Sequence, residues 1–380
     1  MESCSGSSTM MTMVISPLSV LQMTSLAETT IDMMLDFKSI KQPFSNTINI
    51  GNTSYLYFGG TAYLGIPKNQ DFIDLYIEGI KKFGLNNGTS RTNNIQLGIY
   101  SKAEKVAAAR FGAEAALITS SGYLAAQLTI KALSKLGKVI YAPSTHPALW
   151  LAENQTRNLM VFEAWKQETI DKINASEEKN WVLISNSMNN LMPEIYDFEF
   201  VKEIRNDRNI ILIVDDSHGI GVNNNGMGTI VNLPKQGNIE NVVVASMAKA
   251  LGIDAGIVLA SNKVIDQLKH SNTFIGASPP GQPGLYAFVH ASEIYSKALN
   301  KLKNNMQLFE TALNHTWKHA SGFPVYLSGE INSSENLLQK QILISSFPYP
   351  NPGDAPLDRI VLSSWHEKED IGKLVAAINF

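Results

Sequence analysis

Short runs of apolar, mostly β-branched residues recur along the chain, and most are separated by stretches long enough for a helix. The runs are "AALITSS" (115–121), "KVIYA" (138–142), "LMVFEA" (159–164), "NWVLISNS" (180–187), "IILIVDDS" (210–217), "NVVVASM" (241–247) and "AGIVLAS" (255–261). Apolar runs of about four to eight residues, spaced by helices, are strands buried on both faces of a largely parallel sheet. The pattern predicts an α/β fold whose large domain holds a mainly parallel, seven-stranded sheet. Beyond these runs, "GQPGLYAFVHASEIYSKALNKLKNNMQLFETALNHTWKHA" (281–320) has helical spacing over most of its length and leads to "QILISSF", "RIVLSSW" and the amphipathic "EKEDIGKLVAAINF". These form a smaller C-terminal α+β domain. The proline-rich "SFPYPNPGDAPLD" (346–358) between two of them reads as loop.

The organisation expected is therefore a large domain over 61–285, a connecting helix and small domain over 286–380, and an N-terminal segment over 35–60. Residues 1–34 are rich in Met, Ser and Thr and contain no Lys or Arg. A secretory signal needs a positive start, so this stretch reads as a leader or appended extension without chemistry. With 380 residues, 44% of them hydrophobic, the chain buries a full core. A net charge of −3 supplies no basic field for nucleic acid or a membrane surface. No apolar run reaches the roughly 18 residues of a membrane span. The single cysteine, Cys4, excludes an intramolecular disulfide and a cysteine-based zinc site, and favours a cytoplasmic setting.

Ligands of open α/β sheets bind beyond the carboxyl ends of the strands. Several runs end there in polar residues: Asp215, Asp216 and His218; Ser246 and Lys249; His146; and Ser121, Gly122 and Tyr123. Singly, each has an ordinary reading. A strand-end Asp caps a helix, a lone His is a satisfied core residue, and a Lys after a strand is a solvated charge. Jointly they fit one chemistry. A lysine in an apolar site has a lowered pKa and forms a Schiff base with an aldehyde. Pyridoxal phosphate (PLP) also needs an acid at its pyridine nitrogen, a group to hold its ring, and helix-start N–H groups for its phosphate. Lys249, Asp215, His218 or His146, and the "SSGY" turn meet these needs.

These segments resemble the α-oxoamine synthases, a family of fold type I PLP-dependent enzymes, and among them most closely 8-amino-7-oxononanoate synthase and glycine C-acetyltransferase. The resemblance runs over roughly residues 55–376. It rests on "AYLGIP", "NNGTSR", "LITSSGYLAA", "APSTHPAL", "VDDSHGIGVNNNGMG", "ASMAKALGIDAG" and "DRIVLSSWHEKEDIGKLV". It implies that Lys249 binds the cofactor aldehyde and later moves the Cα proton, that Asp215 pairs with the pyridinium, and that His218 bonds the phenolic oxygen. His146 stacks on the ring, Gly122 and Tyr123 offer amides to the phosphate, Ser246 bonds the phosphate through its hydroxyl, and Ser187 lies beside the cofactor. Arg359 grips the amino acid carboxylate, for which a bidentate fork is suited.

The activity implied is C-acyl transfer. An amino acid loses its Cα proton and attacks an acyl thioester of coenzyme A or of a carrier protein, and loss of carbon dioxide then leaves an aminoketone. The resemblance also implies a homodimer. The chain departs from the family pattern on the substrate side, with Thr61 where Asn is usual, Leu183 in place of an acid, "SMNN" for S-M-D-G, and Gly276 and Ala277 in "FIGASPP". Transamination or aldol cleavage on the same scaffold, and a catalytically silent scaffold subunit, are the alternatives.

Overall fold

The computed structural model describes residues 37–152, 160–189, 191–313, 316–348 and 353–379. The leader and Cys4 lie outside them. The strands in chain order are β1 (Thr47–Ile50), β2 (Thr53–Phe58), β3 (Ala115–Thr119), β4 (Lys138–Tyr141), β5 (Asn180–Asn186), β6 (Met188–Asn189), β7 (Glu194–Ile195), β8 (Asn209–Asp215), β9 (Ile239–Ser246), β10 (Gly256–Ala260), β11 (Trp317–His319), β12 (Val325–Ser328), β13 (Ile342–Pro348) and β14 (Pro356–Val361).

Six of them make the central sheet, in the order β3-β10-β9-β8-β5-β4. Neighbours β9, β8, β5 and β4 pair in parallel, whereas β10 runs antiparallel to both β9 and β3. The reversal follows from chain length, because only residues 247–255 separate β9 from β10, too few for the crossover a parallel pair requires. Both faces of the sheet are buried. Leu183, Leu212, Val214, Val243 and Ile257 join one apolar cluster, while their neighbours Val182, Ile184, Ile213, Val242 and Val258 join another. Each such side chain taken from water contributes about 1.5–3 kcal/mol, which is why these runs read as continuous hydrophobes.

The sheet has six strands where seven were expected, because "LMVFEA" is not a strand over its described part. Helix Phe162–Ala175 begins inside it. Phe162, Trp165, Ile170 and Ile173 are buried on one face of that helix, and the Phe162 ring stacks on Tyr196 with centroids 3.8 Å apart. A short apolar run at the start of an amphipathic helix is indistinguishable by periodicity from a strand.

A second six-stranded sheet has the order β1-β2-β13-β14-β12-β11. The N-terminal β2 lies parallel to β13, so residues before 60 build the same sheet as residues after 340. His366 fastens this arrangement. It is fully buried, stacks on Phe58 at 4.2 Å, accepts the Ser363 N–H at Nδ1 (3.0 Å), and donates from Nε2 to the Tyr57 carbonyl (2.8 Å). Burial lowers its pKa to about 4. The proline-rich segment read as loop is in part strand, since β13 runs to Pro348 and β14 starts at Pro356, these two prolines being paired. Each proline sits at a strand end, where its missing N–H costs the ladder least.

Candidate active site

Lys249 sits in the turn between β9 and β10. The turn is closed by Met247 N–H to the Ala255 carbonyl (2.8 Å) and Ile253 N–H to the Met247 carbonyl (3.2 Å). Gly252 adopts φ +68°, and a β-carbon there would stand 2.4 Å from Cγ2 of Ile66, so the turn presses on the segment that follows Tyr63. The lysine is half-buried. Burial lowers its pKa below the ordinary 10.5, against the opposing pull of Asp215 and Asp216.

Asp215 ends β8. Its Oδ1 accepts the Ser217 N–H at 2.9 Å, and the Ser217 hydroxyl accepts the Ser246 N–H at 2.9 Å, which locks the aspartate strand to the lysine strand. Asp216 points the other way. It is buried, its Oδ2 accepts the Thr229 N–H at 2.7 Å, and burial together with the Asp215 charge pushes its carboxyl up to about 7. Gly219 and Gly228 make the room, since β-carbons on them would lie 2.2 and 2.3 Å from its two oxygens.

His218 closes the group. Its Nδ1 lies 2.7 Å from the hydroxyl of Tyr63. Burial lowers the imidazole well below 6.5, and the positive charges of Lys249, Arg359 and His146 lower it further.

His146 is carried on the loop after β4. Asn186, at the end of β5, accepts the His146 N–H at Oδ1 (3.0 Å) and donates from Nδ2 to the Ser144 carbonyl (2.7 Å). The Ala148 N–H donates to His146 Nδ1 at 3.2 Å, so this imidazole is neutral and carries its proton on Nε2. Although the residue as a whole is exposed, partial desolvation of its ring lowers the imidazole pKa, opposed by the Asp215 charge and aided by that of Lys249.

Helix Gly122–Leu133 starts against the end of β9, where its first amides could receive an anion. The Ser121 hydroxyl caps the helix by accepting the Leu124 N–H at 3.1 Å. A β-carbon at Gly122 would lie 2.6 Å from that of Ser246, and one at Gly256 would lie 2.0 Å from the Ser121 carbonyl oxygen. The first helical amides, those of Gly122 and Tyr123, thus stand beside the Ser246 hydroxyl, while the Tyr123 side chain is exposed. Unpaired helix-start amides beside a hydroxyl suit a dianion. With a depressed lysine and a strand-end carboxylate on the same strand ends, the donor set fits PLP.

Arg359 approaches from the second sheet. It lies on β14, between β12 and β13, and its guanidinium stands 4.9 Å from the centroid of Phe347. Thr61, half-buried, accepts the Tyr63 N–H through its carbonyl at 2.9 Å. Ser187 is buried and donates its N–H to the Asp215 carbonyl at 2.8 Å. Sequence reasoning missed Tyr63, Asn186 and the distinct duty of Asp216. Arg91, of "NNGTSR", is bound up in structure: it pairs with the buried Glu104 at 2.9 Å, and Glu104 also accepts the Ile118 N–H. Among the described residues, no group of three His, Cys, Asp or Glu could hold a metal ion, and no helix is long and apolar enough to cross a membrane.

The fold, with the lysine turn and the aspartate at the end of β8 on its central sheet, is that of a fold type I PLP-dependent enzyme, with pyridoxal phosphate as its cofactor. The profile of the family described as aminotransferase class I and II matches residues 68–378, and the chain belongs to that family. The 8-amino-7-oxononanoate synthase of Petrotoga mobilis is 23% identical over 362 residues, covering 89% of this chain and 91% of that protein. Serine palmitoyltransferase from S. paucimobilis, solved with PLP and myriocin bound, has a TM-score of 0.77 at 16% identity and covers 96% of this chain and 97% of its own. The 8-amino-7-oxononanoate synthase from Francisella tularensis has a TM-score of 0.65 at 18% identity, covering 85% of this chain and 96% of its own.

Proposed function

We propose that the protein is a C-acyltransferase that joins an amino acid to an acyl thioester, carried by coenzyme A or a carrier protein, with loss of the amino acid carboxyl as carbon dioxide. The observation that carries this reading is the position of Arg359. It is a buried guanidinium held over an aromatic ring, close enough for its charge to act on both Tyr63 and His218. A carboxylate gripped there places an amino acid between the second sheet and Lys249. The relatives named above supply the acyl-transfer half of the proposal.

Bound PLP supplies an aldehyde for the amino group and a ring that withdraws electrons from Cα. The chain does the rest. Lys249, its pKa lowered by burial, would offer the lone pair of its Nζ to the aldehyde and to the Cα proton of a bound amino acid. Asp215 would hold a proton on the pyridine nitrogen through its carboxylate. Gly122, Tyr123 and Ser246 would anchor the phosphate, His146 would cover the ring, and His218 would donate to the phenolic oxygen. Arg359 would grip the substrate carboxylate and so decide which bond at Cα is presented for cleavage. Where the family pattern expects an acid, Leu183 is fully buried in the core and offers none, and Thr61 is the hydroxyl nearest Tyr63 in the chain.

A homodimer and a cytoplasmic setting go with this reading. Tyr123 is 63% exposed and Ile275 41% exposed, apolar surface that a second copy would cover. The test is an absorption titration of the PLP-loaded protein with glycine, L-alanine and L-serine, each with and without acyl-coenzyme A. A long-wavelength band that one amino acid gives only with thioester present supports acyl transfer. Conversion to the pyridoxamine form, or indifference to every thioester, overturns it.

A further inference from the structure

Every group so far assigned to the cofactor comes from the central sheet or its loops, but His218 is held from elsewhere. The hydroxyl 2.7 Å from its Nδ1 belongs to Tyr63, in a segment built against the second sheet. The Tyr63 carbonyl accepts the Ser364 N–H at 3.0 Å, and the Ser363 hydroxyl donates to the Ala62 carbonyl at 2.6 Å. Two residues on, Gly65 passes so near the same strand end that a β-carbon would lie 2.8 Å from the Ser364 hydroxyl. The Tyr63 ring is 1% exposed and meets Phe323 edge to face at 5.5 Å. It cannot swing away.

A neutral imidazole has one donor and one acceptor nitrogen, and the partner of one fixes the duty of the other. Burial raises the Tyr63 phenol and lowers His218, so both are neutral at physiological pH. Among the described residues the buried Tyr63 hydroxyl has no acceptor other than His218 Nδ1, so a satisfied phenol proton makes the tyrosine the donor of the pair. Among the described residues no protein group is bonded to His218 Nε2.

We propose that Tyr63 is a positioning residue: its hydroxyl donates to His218 Nδ1 and holds the imidazole as the Nε2–H tautomer, a ready donor toward the cofactor side of the site. The inference rests on the reading of His218 as a cofactor residue. It also gives the segment 61–65 a role in joining the half of the site on β8 to the half on β14.

The tyrosine could instead be no more than a core residue, and the experiment must separate the two roles. Full-length protein labelled with ¹⁵N-histidine is examined by NMR, first without PLP and then loaded, with the His218 signals assigned by their loss in His218→Asn. The expected wild-type result is a fixed Nε2–H tautomer without PLP, unchanged from about pH 8 to about pH 5.5. Tyr63→Phe keeps the ring against Phe323 and removes only the hydroxyl, so His218 should shift to tautomer-averaged signals. The loaded variant should show a PLP absorption band whose pH midpoint is displaced, with PLP affinity about tenfold weaker. An Nδ1–H signal in the wild type overturns the proposal without any variant, as do unchanged His218 signals in Tyr63→Phe. If the wild type binds no PLP, the cofactor reading fails, while the tautomer result still stands or falls by itself.

Discussion

Gly122 and Ser246 stand so close that a β-carbon on the glycine would lie 2.6 Å from the β-carbon of the serine and 2.9 Å from its backbone nitrogen. This approach presses the first amides of a twelve-residue helix against the end of β9. Two of the three contacts are with backbone atoms, which have no free end to move. Gly122→Ala should therefore part the helix start from Ser246 and loosen PLP about tenfold or more, a change of roughly 1.4 kcal/mol per decade. Absorbance titration with PLP measures it, beside a far-ultraviolet circular dichroism spectrum that should stay unchanged. Wild-type affinity in a folded variant would remove the phosphate from this helix.

Lys249 is the sole lysine assigned to the aldehyde. Lys249→Ala should abolish both the imine absorption of the PLP-loaded protein and covalent trapping of PLP by borohydride. Because burial depresses this lysine, the rate at which PLP attaches to the wild-type protein should rise with pH to a midpoint below 10.5, the ordinary lysine value. A midpoint at or above that value would contradict the burial argument even if the trapped peptide contains Lys249.

Much of this site was legible because chemistry at a sheet edge leaves a local trace. Asp215, Lys249 and Ser246 each terminate an apolar run, and a β-branched run announces its own end. Asp216 was visible but its duty was not: only the fold shows that glycines three and twelve residues on clear space for its carboxylate. Tyr63 lies in the recognised "AYLGIP" segment, but its duty and that of Asn186 were not legible, since each acts on a residue far away in sequence, 155 positions for Tyr63 and 40 for Asn186. The pairing of β2 with β13 was hidden for the same reason, as register between the two ends of a chain has no local signature. The helix at Phe162 was misread because its apolar residues begin with a cluster, before the spacing of Trp165, Ile170 and Ile173 becomes visible.

Asn186 bonds the loop of His146 at two points, accepting from the His146 N–H and donating to the Ser144 carbonyl. It does so where Ser144 takes φ +54°, a left-handed conformation that costs a non-glycine residue energy and persists only while held. Asn186→Ala removes both bonds and should cost on the order of 1–3 kcal/mol in stability while weakening PLP binding. Ser144→Gly, added to it, relieves the backbone strain and should restore part of the stability but not the affinity, because the His146 N–H stays untethered. Denaturant melts and PLP titrations on the two variants separate these effects. Recovery of both together would mean that Asn186 serves the backbone alone.

Two buried groups give the stability of this protein opposing pH slopes. The pKa of His366 falls from 6.5 in the unfolded chain to about 4 in the fold, so between those values the unfolded state holds the extra proton. Its contribution is present above pH 6.5 and is lost as the pH falls through 4, a change of roughly 3 kcal/mol. His218, also lowered by burial, has the same sign. Asp216 works the other way. Its pKa rises from 3.8 to about 7, so the folded state holds the extra proton, and stability present below pH 3.8 is lost as the pH rises through 7, by roughly 4 kcal/mol. With two histidines of one sign against a single aspartate of the other, these groups leave the stability of the wild type rising with pH between about 4 and about 6.5, and single substitutions should expose its parts. The stability lost on His366→Gln should grow as the pH rises over that range. Asp216→Asn, which keeps an oxygen for the Thr229 N–H, should become more stable relative to wild type over the same rise. Denaturant melts of the apo-protein at a series of pH values would read both differences, and equal pH curves for wild type and Asp216→Asn would show that its carboxyl is ionised in the fold.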